Sequence, residues 1–324
     1  YAASYMRIYA LGTIFVQLAL GLNAFITCQG FAKTSMLTVL IGAVLNTVLD
    51  PLFMFALNMG VQGAALATLI SQAVSAIWVV CFLTGKKTIL KLRPVNLRLN
   101  WKRLGPCVAL GLAPFIMQST ESLIAVCFNT SLRTYGGDLA VGAMTILTSI
   151  NQFALMPLQG LSQGAQPIIS YNFGARNAER VRKAFWVLLR CSVIYSAVLW
   201  ATVQLLPGAY ISMFTPDAAL QAYTIPCLRM YMAASLIFGI QIACQQTFVA
   251  IGNAKHSLFL AVLRKLILLI PLIYILPPFF TDKVMAVFLA EPVADTLAVT
   301  TTALLFRAKF GAAMREMEGT GAHA

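Results

Sequence analysis

Apolar residues in this chain fall in long, nearly uninterrupted runs. They show neither the alternation of a strand nor the one-sided stripe of a soluble helix. A run of about 20 apolar residues is what a helix needs to cross a bilayer. The chain has about nine such runs, at 7–28, 35–57, 61–84, 105–133, 138–170, 181–206, 217–250, 255–280 and 284–309. Turn-forming residues separate them. These are Gly30 with Lys33, Asn58-Met59-Gly60, Gly136-Gly137-Asp138, the polar loop from Asn172 to Asn177, Pro207-Gly208, Thr215-Pro216-Asp217 and Pro277-Pro278. The pattern predicts an all-α polytopic membrane protein.

Composition agrees. Hydrophobic residues make up 60% of the chain and charged residues 10%, against about 25% charged in a soluble domain. The formal net charge is +13, but the basic residues punctuate apolar segments. They do not interleave on one surface as nucleic-acid binding requires. Lys86, Lys87, Lys91, Arg93, Arg98, Lys102 and Arg103 share one short stretch, and Arg176, Arg180, Arg182 and Lys183 another; Arg307, Lys309 and Arg315 follow the last run. Basic loops mark the cytoplasmic side. Alternation from the 85–104 stretch puts the loops near 30–34, 171–183 and 252–256 and the C-terminus inside. The opposite loops hold Asp138, Asp217 and Asp282, with Arg133 and Lys283 the only basic residues. The expectation is a multi-pass protein of the plasma or inner membrane, with the lipid bilayer as partner and no nucleic acid.

Seven cysteines occur and none forms a CxxC pair, so they read as small apolar packing residues. The two histidines, His256 and His323, belong to no HExxH motif, and there is no Walker loop. A membrane-embedded enzyme and an ATP-driven pump both lack the residues they need. No cofactor is expected, and the sequence assigns no metal.

An internal repeat runs through the chain at an offset of 222 residues. Tyr5-Met6-Arg7-Ile8-Tyr9 aligns with Cys227-Leu228-Arg229-Met230-Tyr231. Gly30-Phe31-Ala32-Lys33-Thr34-Ser35 aligns in the same register with Gly252-Asn253-Ala254-Lys255-His256-Ser257. Repeated halves are a common construction of transporters. Both copies begin on the same side, so the repeat is parallel. The register predicts three further helices, about 118 residues, ahead of Tyr1. The expected architecture is a twelve-helix, two-lobe transporter with nine helices in this chain. Residues 1–84 would belong to the first lobe, 85–104 to a cytoplasmic connector, 105–310 to the complete second lobe and 311–324 to a cytoplasmic tail.

Several stretches resemble the multidrug and toxic compound extrusion (MATE) transporters. They are Leu45-Asn46-Thr47-Val48-Leu49-Asp50-Pro51-Leu52-Phe53, the segment from Gly60 to Thr68, the long segment from Gln159 to Ala175, Gly252-Asn253-Ala254-Lys255, and Glu291-Pro292-Val293-Ala294-Asp295. The resemblance covers the whole chain, from the fourth family helix to the twelfth. It implies two six-helix lobes that open alternately to each side. It also implies antiport, in which drug or organic-cation efflux is coupled to H⁺ or Na⁺. Small, mostly cationic or amphipathic substrates and a monomeric protein are expected. Two alternatives share the architecture: a lipid-linked glycan flippase and a narrow metabolite exporter. A flippase should hold diphosphate on cavity basic residues, and the intramembrane ones here are few: Arg190, Arg264 and Lys265. A third alternative is an inactive fragment, should the first three helices be absent in the cell.

Carboxylates within the spans are the candidate chemistry, because charge in the bilayer is costly and needs a partner or a function. Glu121 lies mid-span with no basic residue within a helical turn, Gln118 three residues before it and Asn129 two turns on. It reads as a coupling carboxylate facing a cavity, or as a polar residue bonded between helices. Its position also resembles that of a cavity glutamate in part of the family. Asp50, one turn after Asn46 and just before Pro51, reads as a gate or as a carboxylate at a helix kink. Glu291 and Asp295 share one helix face at i,i+4. They either share a cation or pair with Arg264 and Lys265. Gln152 is left open as a cavity residue, and Gln159, Gln163 and Gln166 form a stripe read as cavity wall or interhelical glue. Gly160 and Gly164 are a small-xxx-small pair expected to permit close helix contact. Phe115, Met117, Met144, Phe153 and Met156 are candidates for a greasy substrate surface.

Overall fold

The computed structural model describes residues 2–92 and 100–321. Side-chain surroundings are described for all of these except 2–5, 103, 106, 107, 109, 110, 112–114, 117, 254 and 318–321. Arg93, Arg98 and His323, and the side chains of Arg103 and Met117, therefore lie outside the described residues. Two compact units are formed, Tyr1–Trp101 and Lys102–Ala324. No strand occurs among the described residues.

The first unit holds α1 (Ala2–Cys28), α2 (Ala32–Pro51) and α3 (Gly60–Thr84), which pack on one another. Small polar groups join them: Ser75 Oγ donates to the Thr38 carbonyl at 3.2 Å, and Thr27 Oγ1 to Ser35 Oγ at 2.8 Å. Pro51 cannot donate a backbone bond, and the chain beyond it widens into a π-helix over Leu52–Ala56.

The second unit begins with α4 (Trp101–Gly174). Its apolar part, Gln118–Gly174, has 57 residues, about 85 Å at the α-helical rise. A hydrocarbon core is about 30 Å thick, so one crossing cannot contain it. Gly137, at φ 65° and ψ −157°, breaks it into two spans. There follow α5 (Ala178–Leu205), α6 (Pro207–Ser212), α7 (Ala218–Tyr231), α8 (Ser235–Ala250), α9 (Ala254–Val262), α10 (Ile270–Ile275) and α11 (Lys283–Gly321). Seven described helices are long and apolar enough to span. The bent pair α7–α8 supplies an eighth, and the break at Gly137 a ninth.

The backbone reproduces the repeat. α1 ends at Cys28 and α8 at Ala250, while α2 begins at Ala32 and α9 at Ala254, each pair 222 residues apart. Between them Gly30 has φ 86° and Gly252 φ 77°, a conformation glycine reaches without a side-chain clash.

Three expectations need correction. Residues 217–250 are not one helix. The chain tightens at Met232–Ala234, where Ala233 N bonds the Met230 carbonyl and Ser235 N the Met232 carbonyl, and the two halves meet at 49°. No glycine or proline marks that bend; Pro226 lies more than a turn earlier. Residues 255–280 do form one span, Lys255–Phe279, widened rather than broken: Pro271 lacks an amide proton, and the turns ahead of it, Leu263–Leu269, are π-helical. The last helix does not stop near 309 but continues to Gly321, because Phe310, Met314 and Met317 pack against Val181 and Phe185 of α5. Finally, Gly160 and Gly164 make no close helix contact among the described residues, since a Cβ at either would meet nothing within 4 Å. The close contact lies elsewhere, where Gly239 of α8 meets Ser192 and Ser196 of α5.

Candidate functional site

The charged side chains inside the second unit converge from three elements. The π-helical turn Leu263–Leu269 supplies Arg264 and Lys265 side by side. α11 supplies Glu291 and Asp295 from one face, and α4 supplies Glu121. Arg264 takes both α11 acids: Nη2 donates to Glu291 Oε1 at 3.2 Å and Nε to Asp295 Oδ1 at 2.5 Å. Its guanidinium also lies over the Phe238 ring, 4.6 Å from the centroid. Lys265 pairs with Glu121.

The pairing expected from sequence is thus redistributed. Arg264 alone holds Glu291 and Asp295, and Lys265 crosses to Glu121, which has no basic residue near it in sequence. A buried charge left alone costs several kcal/mol, which is why such groups meet. The balance is uneven, for three carboxylates face two cations. Exposure is uneven too. The Lys265 side chain is 13% exposed and that of Glu121 55%.

Beside Arg264 is a cavity of about 20 Å³ lined by Asn151, Tyr231, Ser235, Glu291 and Asp295. That volume accommodates about one water molecule or a small cation. Asn151 of α4 and Tyr231 of α7 face the cavity together. Sequence reading missed both residues. It singled out Gln152, whose side chain is exposed and unbonded among the described residues, while its neighbour Asn151 faces the cavity. Tyr231 carried a signal, as the residue aligned with Tyr9 in the repeat.

The remaining candidates do not join this cluster. Gln118 and Asn129 are exposed on α4. Asp50 lies in the first unit and accepts from Asn46 Nδ2 at 3.2 Å, while Asn46 also reaches Thr68 Oγ1 at 3.3 Å. Gln159, Gln163 and Gln166 make no side-chain bond among the described residues. Other glutamines bond between helices instead: Gln241 with Thr302 at 2.8 Å, fully buried, and Gln204 Nε2 to the Arg229 carbonyl at 2.9 Å. Met144 is core, whereas Phe115, Phe153 and Met156 are exposed. No group of three or more metal-ligating side chains occurs among the described residues.

Comparison with known proteins places this arrangement in context. A family model described as MatE matches residues 114–275. The multidrug export protein MepA of Staphylococcus haemolyticus is 26% identical over 301 residues, covering 92% of this chain and 66% of that protein. MepA of Staphylococcus aureus is 26% identical over 308 residues, covering 94% of this chain and 67% of its own length. The chain spans about two thirds of the length of the curated relatives it matches. Among solved structures, MATE in the bent conformation superposes with a TM-score of 0.90 at 23% identity, over 98% of this chain and 70% of that one. An outward-facing multidrug resistance MATE family transporter of the MOP superfamily also gives 0.90 at 23% identity, over 96% and 69%.

Proposed function

Because the chain belongs to the MatE family of multi-pass membrane transporters, we propose that it exports small cationic or amphipathic compounds in exchange for a monovalent cation, H⁺ or Na⁺. The observation that carries this reading is the charge balance of the cluster. Three carboxylates against two cations leave one negative charge in excess among apolar helices. The bilayer penalises that charge, and one bound proton or sodium ion removes the penalty. The cavity beside Arg264 offers room for it. The exposed carboxylate Glu121 is the group a cationic substrate would meet. The MepA proteins, multidrug exporters by name, support an export role. The basic stretches support an orientation with the connector and the C-terminus in the cytoplasm of a cell membrane.

The flippase reading is weaker. It needs several basic side chains available to diphosphate, and of the three intramembrane ones Arg264 and Lys265 are already bonded to carboxylates, which leaves Arg190.

The test is ethidium efflux from a drug-sensitive host expressing the complete reading frame, with the proton and sodium gradients collapsed separately. Efflux that stops with one gradient supports the exchange and identifies the ion. Efflux indifferent to both, or absent with folded protein in the membrane, overturns it.

A further inference from the structure

We propose that Lys265 is a tethered, mobile cation that couples the two binding events, resting on Glu121 when substrate is absent and turning to Glu291 and Asp295 when a cationic substrate takes Glu121. This rests on the exporter reading above and names the element that would connect its two sites.

The two basic residues of the cluster differ in how firmly they are held. Arg264 is fixed by bonds to two carboxylates and by the Phe238 ring. Lys265 has one bonded carboxylate partner among the described residues and a flexible four-carbon stem. Its neighbour in the chain already sits on the Glu291–Asp295 pair, and both of those acids act electrostatically on Lys265. The Glu121 carboxylate is open to a ligand while the lysine behind it is covered. A cation arriving at Glu121 therefore competes with Lys265 directly and need not pass it.

Charge balance makes the movement consequential. With Lys265 bonded to Glu121, Arg264 alone is bonded to Glu291 and Asp295, and one negative charge remains to hold a proton or sodium ion in the cavity. With a monovalent substrate on Glu121, the displaced Lys265 joins Arg264, so two cations face two carboxylates and the small ion leaves to water. One cation enters and one departs, so the cluster keeps its net charge. The groups facing the α11 acids are Arg264 and Lys265 from the π-turn, Tyr231 from α7, Ser235 from α8 and Asn151 from α4. Only Lys265 among them carries a charge that can be exchanged between the acids and Glu121. The widened π-turn suits such a residue, since π-bulges occur often at functional sites.

The test measures cation release on substrate binding. The complete protein in detergent is titrated with tetraphenylphosphonium, first in weak buffer with a pH indicator and then after loading with radioactive sodium. The wild type should release one proton or one sodium ion per tetraphenylphosphonium bound. Lys265→Gln should bind the probe more tightly, on the order of ten-fold, and release neither ion; Lys265→Arg should restore release. If Lys265→Gln releases as much as the wild type, the relay is wrong while the exporter reading stands. If the wild type binds no probe, the exporter reading itself fails. Should Lys265→Gln not fold, the charge-balanced pair Glu121→Gln with Lys265→Gln takes its place. Any substrate-driven release from that pair overturns the relay, and tetraphenylphosphonium bound by the pair without release of either ion supports it.

Discussion

Gly239 of α8 lies so close to Ser192 of α5 that a methyl group on it would stand 2.6 Å from the Ser192 carbonyl carbon and 2.8 Å from the Ser196 hydroxyl. Both serines are fully buried, and their hydroxyls have no hydrogen-bond partner among the described residues. The contact exists because three small residues let two backbones approach, the arrangement that drives helix association in lipid.

Gly239→Ala should therefore be harmful. The obstacle is backbone, which cannot rotate aside, and overpacking of this kind costs about 1–3 kcal/mol. Gly160→Ala, with open space around it, should change stability by less than about 1 kcal/mol, toward greater stability. Thermal unfolding of the two purified variants in detergent separates them. Equal midpoints would mean that α5 and α8 are not this close.

Arg264 is the keystone of the charge cluster. Arg264→Met leaves Glu291 and Asp295 facing each other without their bonded cation, a loss of about 3–5 kcal/mol for a broken buried pair. Arg264→Lys keeps the charge but not the two-pronged geometry and should fall between it and the wild type. The fraction of folded, monodisperse protein after membrane extraction gives the order. An Arg264→Met protein as stable as the wild type would remove the cluster's structural role.

The α11 and first-unit acids should separate in function. Glu291→Gln removes the negative charge in excess, so efflux should lose its dependence on the coupling-ion gradient. Asp50→Asn keeps a polar group beside Asn46 and should leave efflux and its pH profile unchanged. Ethidium efflux measured across a pH series compares them. A shifted profile in Asp50→Asn alone would move the coupling site to the first unit.

The end of α11 is held by packing. Met314 is 1% exposed among Phe185, Phe306 and Phe310, and Phe306 and Phe310 stack at 4.7 Å between centroids. Met314→Ala should cost about 2–5 kcal/mol and make the last turns of α11 an early protease target. Digestion indistinguishable from wild type would show that the extension does not depend on this contact.

How much of this was legible in the sequence differs from residue to residue. Membrane spans follow from run length alone, because a bilayer of fixed thickness demands about 20 apolar residues wherever a helix crosses. The repeat was readable for a similar reason. Gly30 and Gly252 need the same left-handed backbone, so the residue type records the conformation. Tertiary structure alone decided the bend at Met232–Ala234, which no breaker residue announces, and the choice of small residues that touch. Gly160 and Gly164 carry the expected motif, but Ser192, Ser196 and Gly239 make the contact, because the motif states only that helices can approach and not which face is presented. The same holds for charge. Sequence showed that Glu121, Glu291, Asp295, Arg264 and Lys265 must find partners in an apolar medium. Which acid meets which base depends on how α4, α11 and the π-turn at Leu263–Leu269 cross, and that crossing set Lys265 on Glu121.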